Sequence, residues 1–352
     1  MLFRLFISVF ILFFSFSLVA QSDSIVSRSS LFIIPHASYQ QETSWALGVA
    51  YGYYFKSKDI SRISSISGSA IYTFKHQFIF NTTPKLYFNA NKWYLYSNVN
   101  FRNYPDYYYG IGNNNSNVEK PFTARVLSLL LQPQYAVAPN LYIGPHLTTR
   151  FENVKTEFES EEAGWTPYHQ ISLGAVATYD SRDNSFYPYH GTFLKSSFSV
   201  SQASWGSTYS LQTVSFDVRK YFSLFKEHVF ATQAQFEGVF GQNGIPFQLL
   251  PTVGGSDLLR GFRQGKYKEN MMMAVQAEYR LPIYWRFKAA VFCATGDVFD
   301  SGNFQMSDKM KFAYGAGLRC RVNDARVHVR FDIAKNNYSD KLQFYITATE
   351  AF

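Results

Sequence analysis

Cysteine is nearly absent: Cys293 and Cys320 are the two in 352 residues. They match no metal-ligand spacing and sit in no nucleophile pattern. In the strand reading below they fall at different heights on successive strands, too far apart to bridge, so two free, lipid-facing thiols are expected. Long hydrophobic runs are as scarce. One lies within residues 1–20, where Arg4 precedes an apolar centre at residues 5–16 and Val19, Ala20 and Gln21 offer a cleavage point. That is the layout of a secretory signal peptide. No Cys follows it, which disfavours a lipoprotein. No later stretch reaches the roughly 18 apolar residues of a spanning helix, so a mature chain that crosses a membrane must do so as strands. Charge is also unclustered. The formal net charge of +8 contains no basic run that would follow a nucleic-acid backbone, and no nucleic-acid partner is expected. Catalytic patterns are missing too. There is no Gly-x-Ser-x-Gly, and His36, His76, His146, His169, His190, His228 and His328 are dispersed. A barrel hydrolase is the least supported reading; no enzyme activity, metal or cofactor is expected.

What is abundant is aromatic. Phe, Trp and Tyr make up 19% of the chain, yet mean hydropathy is only −0.16. A lipid-facing β-barrel needs that mixture: an apolar band, aromatic girdles and a polar lumen. From Leu31 onward the sequence reads as alternating segments of about 10 to 15 residues, long enough to cross a bilayer when tilted. In residues 311–322, Phe312, Tyr314, Ala316, Leu318, Cys320 and Val322 oppose Lys311, Ala313, Gly315, Gly317, Arg319 and Arg321. Residues 213–219 and 326–333 alternate as cleanly. About 16 such segments are expected. Long polar linkers near 103–121, 152–165, 241–268 and 297–309 alternate with short ones near 57–60, 89–91, 137–140, 284–285 and 323–324. Long loops on one side and tight turns on the other is the outer-membrane arrangement, and an open sheet is excluded because unpaired backbone cannot be left in lipid. The expected organisation is a signal peptide at 1–20, a short periplasmic segment at 21–30 with no room for a periplasmic domain, and an all-β antiparallel transmembrane barrel at 31–352.

Two motifs narrow this further. Gly254, Gly255, Ser256, Asp257, Leu258, Leu259, Arg260, Gly261 and Phe262 lie in the longest predicted external loop. Residues 180–191, with Asp180, Arg182, Asp183, Pro188 and Gly191, form a predicted periplasmic turn. With their positions after the eleventh and eighth predicted strands, these motifs make the chain resemble the bacterial surface-antigen family of outer-membrane barrels. That family includes the BamA- and TamA-like barrels and, more distantly, the two-partner secretion transporters. The resemblance implies sixteen strands, a sixth external loop folded into the lumen with Arg-Gly-Phe at its tip, and polypeptide insertion or translocation as the work. Family members receive clients through periplasmic polypeptide-transport-associated (POTRA) domains, which this sequence is expected to lack. Such work would then need a periplasmic partner subunit or a homo-oligomer, with outer-membrane lipid around it and a polypeptide as client.

The loop has its own physics. Arg260 offers a planar five-donor head to an inward carboxylate, and Glu278, Asp332 and Glu237 are candidate seats. Glu278 matches the family's inward Glu. Where the family shows Phe-x-Asp-x-Gly, this chain has Ala294 in the Asp position, so one expected partner of Arg260 is missing and Glu278 is expected to hold it. The turn at 180–191 is read as structural, with Asp180, Arg182 and Asp183 pairing locally. The second reading is a passive pore or structural barrel, in which inward Lys288, Lys311, Arg319, Arg321, Arg326 and Arg330 would favour anions. Phe352 is read as a terminal aromatic recognised during barrel assembly.

Overall fold

The computed structural model describes residues 29–40, 44–55, 62–113, 119–157, 162–242, 244–300, 302, 310–322, 326–348 and 350–352. The signal segment 1–20, most of the segment 21–30, and the turns at 57–60 and 323–324 lie outside the described residues. The first strands are β1 (Ser29–Gln40), β2 (Ser44–Phe55), β3 (Ser64–Thr73), β4 (Phe78–Phe88), β5 (Trp93–Tyr108) and β6 (Lys120–Ala138). Then come β7 (Leu141–Lys155), β8 (Tyr168–Asp180), β9 (Gly191–Ser201), β10 (Leu211–Phe225) and β11 (His228–Gly241). A two-residue hairpin, β12 (Thr252–Val253) with β13 (Tyr267–Lys268), precedes β14 (Met271–Tyr284), β15 (Phe287–Phe299), β16 (Lys311–Arg321), β17 (His328–Asn336) and β18 (Ser339–Ala348). All but β12 and β13 join one closed antiparallel barrel of sixteen strands.

The period-2 pattern becomes an inside and an outside. Phe312, Tyr314 and Leu318 are exposed while Lys311, Ala313 and Arg319 between them are buried, and Phe216 and Val218 on β10 are likewise exposed. Large apolar side chains such as Leu31, Leu47, Phe101, Leu127, Phe151, Val275 and Phe344 also face outward. Water would not tolerate that surface; a hydrocarbon layer accepts it, and closure of the sheet leaves no edge in lipid. The chain is an outer-membrane barrel. Left-handed backbone at Asn89, Ala90, Asn91, Asn140, Glu227 and Trp285 makes the tight turns of one rim.

Two boundaries differ from the sequence reading. The third external loop is shorter because β5 continues through Pro105, opposite Thr123, to Tyr108. The strand expected over 326–333 begins at His328, since Arg326 turns the chain at φ 64°. Both cysteines are free. Cys293 lies opposite Tyr314 and Cys320 opposite Phe287, a separation of about 20 Å at strand rise. The sheet closes where Tyr39 of β1 stands opposite Ile346 of β18, and every residue of β1 pairs with β2.

Candidate functional site

The inner faces of β14 to β18 build a pit floored by small residues. One transverse row runs Glu278, Phe292, Gly315, Ala334, and the next runs Arg280, Ala290, Gly317, Asp332, Tyr345. The glycines are there for space. A Cβ on Gly317 would lie 1.9 Å from Asp332 Oδ1, and one on Gly315 would lie 2.5 Å from the Phe292 ring. Neither contact is possible for a real side chain, so glycine lets the carboxylate and the ring lean towards the centre.

Arg260 occupies the pit at 1% exposure. Its Nη2 donates to Glu278 Oε2 at 2.7 Å and its Nη1 to Asp332 Oδ2 at 2.8 Å. The guanidinium lies over Phe292, 3.4 Å from the ring centroid. Gly261 N–H donates to the Tyr345 hydroxyl at 2.9 Å, and Asn336 donates to the Gly261 carbonyl. Leu259 and Phe262 pack with Val253, Tyr267, Ala294 and Ala313. Ala294, at the position where an Asp had been expected, thus contributes apolar wall, and Asp332 contributes the second carboxylate. At the loop base, Gly254 and Gly255 adopt left-handed φ, and Gly255 N–H donates to the Phe262 carbonyl at 2.9 Å. Glu237 is not brought to Arg260; it accepts from Gln235 at 2.8 Å.

Three further guanidinium groups share the carboxylates. Arg280 donates to Glu278 Oε1 at 2.8 Å, Arg319 to Glu278, Asp332 and Glu350, and Arg330 to Asp257 and the Ser256 carbonyl. Burying so many charges is costly unless each finds partners in fixed geometry; the arrangement therefore gives the loop tip one seat. The outer part of the same loop is braced elsewhere. Phe247 packs with Tyr108 and Trp165, Gln248 donates to the Gly164 carbonyl at 2.8 Å, and Arg263 pairs with Asp106 at 3.2 Å.

The turn motif does more than close β8 to β9. Arg182 donates to both oxygens of Asp180 at 2.9 and 2.8 Å. Asp183 accepts from the backbone of Tyr189 and His190 and pairs with Arg326 at 2.6 Å, so part of its pairing is to a distant turn. Gly191 runs at φ 113°, and a Cβ there would meet the Ser181 carbonyl at 2.5 Å. Tyr187, one residue before Pro188, is fully buried with its ring 4.3 Å from that of His328. Beside it lies the segment 350–352. Phe352 packs with Tyr221, Val229 and Ala231, and Arg280 donates to its carbonyl oxygen at 3.0 Å. Phe352 is thus turned into the barrel, past the last residue of β18, rather than displayed on the final strand.

The model of the Omp85 superfamily domain matches residues 37–352. The chain belongs to the Omp85 superfamily. BamA from Haemophilus ducreyi lacking POTRA domains 1–3 superposes with a TM-score of 0.62 at 14% identity, over 92% of this chain and 70% of that one. CdiB from Escherichia coli gives 0.63 at 11% identity, over 93% and 64%, and CdiB from Acinetobacter baumannii gives 0.57 at 12%, over 92% and 60%. This Omp85 chain thus spans roughly two-thirds of the length of the structures it matches, and at these identities the likeness is one of fold. A comparison with curated proteins finds no match.

Sequence reasoning missed the role of Arg280, Arg319 and Arg330 as carriers of the carboxylates in this Omp85 barrel. It had treated Arg319, Arg321 and Arg330 as pore cations, yet Lys288 pairs with Glu227, Lys311 with Asp297, and Arg319 and Arg330 as above, while Arg321 at the end of β16 has no ion pair among the described residues. Arg326 is a turn residue facing Asp183, outside the lumen wall. The available signal was that carboxylates of matching inward parity stand on the same strands.

Proposed function

We propose that this barrel inserts or translocates polypeptides at the outer membrane, with a leader at 1–20 delivering it and a periplasmic partner subunit or a second copy supporting it. Arg260 is the anchor of the sixth external loop, Glu278 and Asp332 are its seats, and Gly254, Gly255, Gly261 and Phe262 shape the tip. The work calls for no bond-making residue: it needs a wall that parts or a lumen that opens. The observation that carries the reading is membership of the Omp85 superfamily, whose barrels insert and translocate polypeptides, in a sheet that closes between its first and last strands at Tyr39 and Ile346. The pairing of Lys288, Lys311, Arg319 and Arg330 argues against an anion pore through that side of the lumen.

The test is to lock the seam. Tyr39→Cys with Ile346→Cys, in a chain carrying Cys293→Ser and Cys320→Ser, places two thiols directly opposite, within the roughly 4.4–6.8 Å Cα range of a disulfide. In cells depleted of the wild-type protein, the oxidised lock should lower the yield of client polypeptides in or beyond the outer membrane, and reductant should restore it. A fully formed lock that leaves the outer-membrane and surface protein profile unchanged would remove seam opening from the proposal.

A further inference from the structure

The opposite half of the lumen carries two lysines that form no ion pair among the described residues. On its inner face Lys85 of β4 stands directly across from Tyr96 of β5, which stands across from Gln132 of β6. Lys195 of β9 reaches over from four strands away and sets its Nζ 4.2 Å from the Tyr96 ring centroid. Both lysines therefore stand at Tyr96, Lys85 beside it on the neighbouring strand and Lys195 over its ring from across the lumen, and their charges repel each other, with Arg219 repelling both. Among the described residues neither has a carboxylate within ion-pair distance. The nearest acids are taken: Arg219 donates to both oxygens of Asp217 at 2.6 to 3.0 Å, Gln233 adds a bond to Oδ1 at 2.8 Å, and Arg182 holds both oxygens of Asp180.

Unused hydrogen-bonding groups lie in the same region. Thr178, directly across from Lys195 on β8, is 4% exposed, and its hydroxyl has no hydrogen-bond partner. Gln134, across from Tyr94 one layer nearer the short-turn rim, is 1% exposed with neither its carbonyl nor its amino group bonded. A buried donor left without a partner is costly, and so is a pair of facing like charges. One guest would satisfy both.

We propose that this layer is a binding site for a small oxyanion of the phosphate class, held between Lys85 and Lys195 with the Thr178 hydroxyl as a further donor. Charge selects the class. A phosphate of about two negative charges matches both ammonium groups, whereas a carboxylate matches one and leaves the other opposed. The site lies within a few residues of the turn at 89–92 and of Gly191, on the short-turn side, so its ligand arrives from the periplasm. The site is separate from the Arg260 pit and does not rest on the polypeptide reading.

Inorganic phosphate titrated into the purified full chain in neutral detergent, followed by phosphorus NMR or calorimetry, tests it. Saturable binding is expected, weakened at least about ten-fold by Lys85→Gln or by Lys195→Gln, less by Thr178→Val, and not by Lys335→Gln on the surface. Retention of the folded, heat-modifiable gel band shows that each variant still forms the barrel. Acetate should displace phosphate only weakly, and short-chain phosphatidic acid should compete no better than inorganic phosphate. No saturation, binding unchanged in the doubly substituted chain, acetate equal to phosphate, or binding of the lipid alone would each overturn the site.

Discussion

The hold of the loop tip can be measured at Arg260. Arg260→Ala deletes two charge-assisted hydrogen bonds, to Glu278 and Asp332, each worth about 1.5–3 kcal/mol, and a desolvated stack on Phe292 worth roughly 2 kcal/mol. The full sum is not expected. Glu278 keeps Arg280 and Arg319, and Asp332 keeps Arg319 and Arg330, so neither carboxylate is left bare. A cost of about 3 kcal/mol follows, at the lower edge of the range for breaking a buried pair. Glu278→Gln removes an anion shared by three guanidinium groups and should cost about 4 kcal/mol. The double variant should cost less than the two together by about 1.5–2 kcal/mol, the energy of the shared bond. Limited proteolysis within 241–270 of the barrel in detergent reads the local opening, and 3 kcal/mol corresponds to cleavage about 100-fold faster when reclosing outruns the protease. Urea titration followed by tryptophan fluorescence reads the whole barrel. Strictly additive effects, or a loop no more sensitive in Arg260→Ala than in wild type, would refute the claim that these contacts seat it.

Two other substitutions follow from the same geometry. Gly317→Ala should force Asp332 off its position, lowering stability by about 1–3 kcal/mol in urea titrations and raising loop cleavage without touching the loop; wild-type cleavage would dismiss the glycine gap. Phe352→Ala should lower barrel stability by about 3 kcal/mol, as for a buried ring, and the loss should appear in the already folded, purified protein. A variant that folds with wild-type stability but enters membranes poorly would instead assign Phe352 to recognition during assembly.

The barrel was legible because lipid inverts the usual burial rule while keeping the period of two: Phe312, Tyr314 and Leu318 can be read as one face with no knowledge of the partner strand. Loop lengths placed Arg260 after the eleventh strand and Asp180 after the eighth, where β11 and β8 end. Parity also offered Glu278, Asp332 and Glu237 as inward acids, but parity does not give height or distance across the lumen. The register of β14 to β17, with the gap at Gly317, brings Asp332 rather than Glu237 to Arg260. Parity makes the same-strand pairs Arg280–Glu278 and Arg330–Asp332 readable, but the cross-strand pairs Arg319–Glu278 and Lys288–Glu227 join strands and turns that no local pattern relates. The inward place of Phe352 was not legible, because nothing local shows where a chain turns after its last strand. Arg319 draws Glu350 inward, and Arg280 binds the Phe352 carbonyl.

The two oxygens of Glu278 serve two masters. Oε2 holds Arg260, which belongs to the segment arriving from outside the cell; Oε1 holds Arg280, which grips the segment arriving from the periplasmic end. A proton or a mutation that weakens this one carboxylate loosens both contacts together. Whatever either contact contributes to fixing Glu278 is returned in equal measure to the other, since linkage between two sites is reciprocal. One side chain thus joins the hold on the external loop to the hold on residues 350–352.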